Sequence, residues 1–255
     1  MRTAAGSTCD LFIRSYWKDI RWLRYCLESI AAYCQGFRQV IVVAPEASRL
    51  RMERAGLWPG ARFLWGRDYA DDYLGQQATK LMADLVTDAE LICHVDSDCV
   101  FNVRTTPGDL MREGRPMIAR RSIAALGGRS PWRAPTETFL GWSVSHDYMH
   151  HPPFLYPRWL HAEVRDHAAV IHGVDIETYL AAQPRRGFSE FNVLGALAWE
   201  RHREDFAWVD AEASPPVPRC RWYWSWGGID GAIRSEIEQI LRAAPADPAS
   251  GAAAP

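Results

Sequence analysis

The chain has 255 residues, of which 48% are hydrophobic and 24% charged, with a formal net charge of −2. This composition predicts one globular domain, or two closely joined lobes, and the near-neutral charge argues against a nucleic-acid-binding protein. The sequence opens without the apolar segment of a signal peptide, and it contains no run of about 20 apolar residues that could span a membrane. Its six cysteines show no CxxC spacing. We therefore expect a cytoplasmic protein without a transmembrane segment.

The first hundred residues alternate between strand and helix patterns. Strands are predicted at 10–14, 39–44, 62–65 and from 91 onward, and helices at 20–33, 47–55 and 75–86. This alternation predicts an α/β fold with a mostly parallel, Rossmann-like sheet flanked by helices. Ligands of such sheets bind beyond the carboxyl ends of the strands. The segments 14–19, 44–46 and 96–98 are therefore expected to line a single cleft.

The second half of the chain has a less regular pattern. A segment with two adjacent glycines and two prolines, 119–139, predicts a mobile loop. Helical patterns follow at 157–164, 176–182 and 188–197. The last residues, 243–255, are rich in Ala and Pro and lack large apolar side chains, so they are predicted to be disordered.

The segment 91–101 carries the strongest functional signal, because an apolar strand ends there in two carboxylates one residue apart, Asp96 and Asp98. Burying two unpaired carboxylates is costly, and a hard divalent cation with oxygen ligands relieves that cost. Residues two apart along an extended chain point the same way, so both carboxylates can face one ion. The alternative is a turn in which the aspartates cap backbone amides.

The helix at 75–86 precedes this strand and carries a polar stripe beside its apolar one. Gln77, Lys80 and Asp84 recur at three- and four-residue spacing, so Lys80 can face the cleft while the helix stays packed. The apolar stripe predicted to face the core comprises Ala78, Leu81, Met82, Leu85 and Val86. The alternative for Lys80 is an exposed ion pair with Asp84.

Together, Gln76-Gln77-Ala78-Thr79-Lys80-Leu81, the apolar strand and Asp96-Ser97-Asp98 resemble the donor half of GT-A glycosyltransferases. More narrowly, these segments resemble uncharacterised bacterial GT-A proteins of the kind encoded with surface-polysaccharide genes. In this family a DxD motif holds Mn²⁺ or Mg²⁺ against the diphosphate of a nucleotide-sugar. The resemblance implies that 9–105 form the nucleotide-sugar (donor) half and 106–242 the acceptor and catalytic half of the same domain.

The resemblance also implies roles for individual residues. Asp96 and Asp98 become the metal ligands, and the side chains at the cleft beside them become donor contacts, namely Gln77, Lys80, Asp84 and Ser97. Arg14, Ser15 and Tyr16 lie where the nucleotide base or ribose is bound. Asp19 belongs to the same group, although capping the following helix is an equal alternative.

Glu190 lies where these enzymes often carry an acidic residue beside the reacting sugar. In an inverting enzyme it is the general base for the acceptor hydroxyl, with Lys80 stabilising the leaving diphosphate. In a retaining enzyme it orients the sugar. The alternative is a helix-start capping box with Ser189, or a solvated glutamate.

The resemblance thus implies a hexosyltransferase-like enzyme of surface-glycan synthesis with a glycan or lipid-linked hydroxyl acceptor, compatible with peripheral attachment to a membrane. Many relatives supply a late His as third metal ligand, whereas no His follows His202 here. A module that binds a nucleotide or glycan without turnover is therefore an alternative. A haloacid-dehalogenase-type phosphatase is less favoured: 96–100 fits DxDxT/V, but that class carries it near the N-terminus, with a downstream acid pair.

The aromatic run at 222–228 has two interpretations. Trp222, Trp224 and Trp226 alternate with Tyr223 and Ser225, which predicts a packed strand whose tryptophans close the core. The same aromatic faces are also suited to stacking on the sugar rings of an acceptor.

Overall fold

The computed structural model describes residues 7–127 and 129–245. The strands are β1 (Cys9–Arg14), β2 (Val40–Pro45), β3 (Ala61–Gly66), β4 (Leu91–Asp96), β5 (Cys99–Phe101), β6 (Met111–Arg112), β7 (Arg115–Ser122), β8 (His146–Asp147), β9 (Phe154–Pro157), β10 (Ala207–Asp210) and β11 (Cys220–Trp222). The helices are α1 (Ile20–Tyr33), α2 (Arg49–Ala55), α3 (Asp72–Leu81), α4 (Arg133–Leu140), α5 (Arg158–His172), α6 (Ile176–Ala181), α7 (Glu190–Arg201) and α8 (Gly231–Arg242). Most of the segment predicted to be disordered, 246–255, lies outside the described residues.

The central sheet has the strand order β3-β2-β1-β4-β9. Its first four strands run parallel, and β9 pairs with β4 in the antiparallel direction. The predicted α/β fold with a mostly parallel sheet flanked by helices is confirmed. Because β9 comes from the second half of the chain, the two predicted halves share one sheet.

Alternating side chains of the sheet face two separate apolar layers. Leu11 and Ile13 pack on the side of α1, together with Leu23 and Leu27 of that helix. Phe12 points the other way, into a smaller cluster with Ile41 and Ile92. Burial on both faces accounts for the continuous apolar strands in the sequence.

The second half builds further layers around this sheet. Strand β7 pairs with β6, β8 and β10, while β5 and β11 form a short antiparallel ribbon. A large apolar cluster joins α3 to α4, α5, α6 and α7, and α8 packs against α1.

The predicted mobile loop at 119–139 is wrong, because the end of β7 and most of α4 lie there. Pro135 occupies the first turn of α4, where a proline costs no intrahelical hydrogen bond. Phe139 of this helix is fully buried, so tertiary packing holds a segment whose composition is typical of a loop.

The helix before β4 also differs from its prediction, since α3 runs from Asp72 to Leu81 rather than over 75–86. The carboxylate of Asp71 caps its start by accepting from the backbone N–H of Tyr73 at 2.9 Å. At its end, Arg165 donates to the carbonyl oxygen of Leu81 at 3.0 Å. Leu85, predicted to lie in the core stripe, falls beyond the helix and is 64% exposed.

The aromatic run at 222–228 is a strand only as far as Trp222. A 3-10 turn, Ser225–Gly227, follows it, and Trp224 and Trp226 are exposed. The prediction of a packed strand is therefore wrong for these two tryptophans.

Candidate functional site

The candidate site lies at the topological switch point of the central sheet, between β1 and β4. The chain builds β1, β2 and β3 outward on one side, then returns to place β4 on the other side of β1. Arg14 and Asp96, the last residues of β1 and β4, are direct neighbours in the sheet register. The carboxyl ends of strands at such a switch point form the crevice in which doubly wound sheets bind ligands.

Lys80 is the centre of this site. Its ammonium Nζ lies 2.8 Å from Oδ1 of Asp96 and 2.9 Å from Oε1 of Glu190. Burial lowers the pKa of Lys80, but the two carboxylates outweigh that effect and raise the pKa above its ordinary value. The ring of Phe191 lies 4.9 Å from the same ammonium. Lys80 is therefore a permanently charged, buried cation, and the alternative of an ion pair with Asp84 is wrong.

Asp96 and Asp98 meet in the turn after β4. Burial, and secondly the charge of Asp96, raise the pKa of Asp98 to about 7, although a hydrogen bond from the Ser225 N–H opposes the shift. That N–H lies 3.0 Å from Oδ2 of Asp98. The two carboxylates thus repel each other, and the Lys80 cation offsets only part of their charge.

Oxygen donors with mutual repulsion are the chemistry that suits a hard divalent cation such as Mn²⁺ or Mg²⁺. Asp96 and Asp98 fit this requirement as two ligands. Within 7–127 and 129–245, however, no three His, Cys, Asp or Glu side chains are arranged to hold a metal together.

The carboxylate of Asp19 interacts electrostatically with those of Asp96 and Asp98. Asp19 does not cap α1 with its side chain, so that alternative is wrong. Burial raises the pKa of Asp19 to about 6, with the charges of Asp72 and Asp96 contributing, while a hydrogen bond to the side chain of Ser225 opposes the rise. Ser225 therefore contacts both Asp19 and Asp98. These contacts hold the turn after β11 against the candidate site.

Arg14, Ser15 and Tyr16 continue from the end of β1. The guanidinium of Arg14 forms a bidentate ion pair with the carboxylate of Asp72, at the start of α3. Ser15 is buried, and its hydroxyl has no hydrogen-bond partner within the described part of the chain. Burial raises the pKa of the half-exposed Tyr16, as do the nearby charges of Asp19 and Asp72.

Gln77 and Glu190 connect α3 with α7. The side-chain oxygen of Gln77 accepts from the backbone N–H of Glu190 at 3.2 Å, and both side chains are buried. Ser189 makes no side-chain cap, and Glu190 is ion-paired, so the alternatives of a capping box and a solvated glutamate are wrong. Gln77 positions the start of α7, which places Glu190 against Lys80.

Of the remaining predicted donor contacts, Asp84 lies outside the candidate site, whereas Ser97 lies within it. Asp84 falls beyond the end of α3, so it does not share the stripe of Lys80, and its carboxylate is ion-paired with Arg165 of α5. That pairing gives Asp84 a structural role. Ser97 is buried in the turn between Asp96 and Asp98.

The site includes two residues that the sequence analysis missed, Asp72 and Ser225. Asp72 is the first residue of α3 and follows Asp71, and acidic residues are common at helix starts without any further role. Ser225 lies between two tryptophans, in a run whose pattern predicts a packed strand or a stacking surface. Neither residue has a local pattern that identifies its distant partner.

No protein-family model matches this sequence, and no curated protein gives a significant match. In the described part of the chain, the helices are all too short or too polar to cross a membrane.

Proposed function

We propose that this protein is a metal-dependent glycosyltransferase of the GT-A type, which moves a sugar from a nucleoside-diphosphate sugar to a hydroxyl acceptor in surface-glycan synthesis. The observation that carries the proposal is the position of Lys80, in contact with Asp96 of the DxD segment and with Glu190 at the start of α7. One buried cation thereby links the proposed metal ligands to the proposed base.

The electrostatics of these residues suit transfer from a diphosphate. Breaking the bond between sugar and phosphate builds negative charge on the leaving group, and a fixed cation that needs no reorganisation stabilises such charge strongly. Lys80 is held in place by α3 and by burial, so its charge is preorganised. A divalent cation, held by Asp96 and Asp98, supplies Lewis-acid stabilisation of the same diphosphate when bound.

Glu190 supplies the proton acceptor in this proposal. Its carboxylate is fixed by Lys80 and by the start of α7, which Gln77 holds. In an inverting transfer, Glu190 accepts the proton of the acceptor hydroxyl, while Lys80 stays between Glu190 and Asp96. If the sugar is transferred with retention, Glu190 orients the sugar instead.

Isothermal titration calorimetry with UDP and GDP, with and without Mn²⁺, tests the proposal. We expect one nucleotide to bind the wild type only with Mn²⁺, and Asp98→Ala to abolish that binding. Asp88→Ala is the matched control, because this exposed carboxylate pairs with Arg38 and lies just before β4, at the opposite end of that strand. Metal-independent binding, or no binding of either nucleotide, contradicts the proposal.

Turnover separates an enzyme from a binding module. We expect slow Mn²⁺-dependent hydrolysis of the nucleotide-sugar whose nucleotide binds, and its loss in Glu190→Gln or Lys80→Met. Binding without hydrolysis or transfer of any donor favours the module. The position of Asp96 at the end of the fourth strand in chain order disfavours the phosphatase, whose motif lies near the N-terminus.

A further inference from the structure

Three exposed tryptophans lie next to residues of the candidate site. Trp17 is 36% exposed, Trp224 59% and Trp226 75%. Trp17 stands two residues before Asp19, and Ser225, which contacts both Asp19 and Asp98, separates the other two. All three indoles therefore lie within a residue or two of the groups that form the cleft.

The tryptophans after β11 form a column rather than an open platform. The ring centroids of Trp222 and Trp224 are 4.8 Å apart with an interplanar angle of 27°. Those of Trp224 and Trp226 are 5.6 Å apart at 32°. The stacked contact covers one face of Trp222 and one face of Trp224, while Trp226 at the end of the column stays 75% exposed. Such a column suits the boundary between water and lipid, where tryptophans collect because the indole is amphipathic.

Positive charge accompanies Trp17 on the rim, which we define as Trp17, Lys18, Leu50, Arg51, Trp224 and Trp226. The guanidinium of Arg51 lies 3.9 Å from the centre of the Trp17 ring, and the ammonium of Lys18 lies 5.6 Å away. Leu50, beside Arg51 on α2, is 66% exposed. The acidic neighbours on this helix and the turn before it, Glu46 and Glu53, are both held by Arg49.

This rim differs from the protein as a whole, whose net charge is −2. Its cations are exposed, whereas the carboxylates of the site are partly or fully buried. An exposed set of tryptophans and a leucine with unneutralised cations matches an anionic lipid surface in both polarity and charge.

We propose that Trp17, Lys18, Leu50, Arg51, Trp224 and Trp226 dock the protein onto the surface of an anionic phospholipid bilayer, with the mouth of the cleft facing the headgroups. Docking itself does not depend on catalysis. Its corollary, which rests on the proposed function, is that the acceptor is a lipid-linked hydroxyl presented at that surface.

Vesicle sedimentation and tryptophan emission test this proposal, with the full chain, without nucleotide or metal. We expect binding and a blue shift with phosphatidylcholine vesicles that contain phosphatidylglycerol, and binding at least about tenfold weaker to pure phosphatidylcholine or in high salt. A Trp224→Ala/Trp226→Ala variant should lose about tenfold in partitioning. A Lys18→Ala/Arg51→Ala variant should bind the anionic vesicles about tenfold more weakly than the wild type, and its binding to pure phosphatidylcholine should be unchanged.

Trp159→Ala is the matched control, because Trp159 is 39% exposed but packs on α5 against His202. Circular dichroism of each variant checks that it is folded. Failure of the wild type to bind either vesicle, or equal binding by the rim variants and Trp159→Ala, overturns the proposal. If maltohexaose or chitohexaose shifts the tryptophan emission and vesicles do not, the tryptophan column binds sugars rather than a membrane, and the proposal is also overturned. Because nucleotide is absent, failure of the calorimetric test leaves these outcomes unaffected.

Discussion

Replacing Lys80 by Met tests the role of the buried cation in stability. Met keeps most of the side-chain length and apolar surface but removes the charge, so the packing of α3 is little changed. The variant leaves the carboxylates of Asp96 and Glu190 without the partner that each contacts within 3 Å. Glu190 is only 5% exposed, so water cannot readily replace that partner.

Removing one member of a buried ion pair costs about 3–5 kcal/mol. Glu190 contributes most of this cost. The side chain of Asp96 is 21% exposed, so solvent screens it better and its share is smaller. We therefore expect Lys80→Met to lower the free energy of unfolding by about 3–4 kcal/mol.

Urea denaturation at pH 7.5, followed by tryptophan fluorescence and by circular dichroism, measures the effect. Lys18→Met is the matched control, since Lys18 is the only other lysine of the chain and is exposed. It should change the free energy of unfolding by less than about 0.5 kcal/mol.

A Lys80→Met/Glu190→Gln variant should recover at least about 1 kcal/mol relative to Lys80→Met, because the uncompensated charge is removed along with its partner. A loss of less than about 1 kcal/mol in Lys80→Met, or a further loss in the double variant, refutes the reasoning.

Three further predictions concern other charged groups. Asp98→Asn should stabilise the metal-free protein at pH 8 but not at about pH 3 in urea denaturation. The pKa of Asp98 is raised to about 7, so its stabilising contribution is complete only below the ordinary pKa of an aspartate and is lost as the pH rises from there through about 7. Asp10→Asn should destabilise by about 1–3 kcal/mol at pH 7. Although burial raises the pKa of Asp10, hydrogen bonds from Arg38 and others lower it overall, so this difference should shrink as the pH falls below the ordinary range of an aspartate. Arg165→Ala should cost about 3 kcal/mol by leaving Asp84 buried and unpaired, without changing nucleotide affinity in calorimetry.

The first half of the fold was predictable because local signals there agree with tertiary structure. Three of the four parallel strands, β1, β2 and β4, are buried on both faces, so each appears in the sequence as a continuous apolar run between helical patterns. The meeting of the ends of β1 and β4 then follows from the general behaviour of such sheets.

The second half was harder to predict, because long-range contacts decide it. Glycine and proline content favours a loop at 119–139, yet burial of Phe139 stabilises α4 there. In the first half, the end of α3 was misplaced for the same reason, since it depends on Arg165, which is 84 residues away from the carbonyl that it contacts. No local pattern contains either contact.

The residue types of the candidate site were predictable from the sequence, but the contacts between those residues were not. Carboxylates and a lysine near the strand ends were expected, whereas the ion pair between Lys80 and Glu190 joins residues 110 positions apart. The position of Ser225 likewise depends on where β11 meets β5.

The pairing of β9 with β4 has a consequence for how the chain holds together. Strand β4 bears Asp96, and its outer edge is completed by a strand that the chain supplies some sixty residues later. Without the second half, that edge would expose unpaired backbone groups beside an apolar strand, which is a template for aggregation. The first half is therefore not a separable unit. Glu190 and Ser225 also come from the second half, so the candidate site is complete only when that half packs against the sheet.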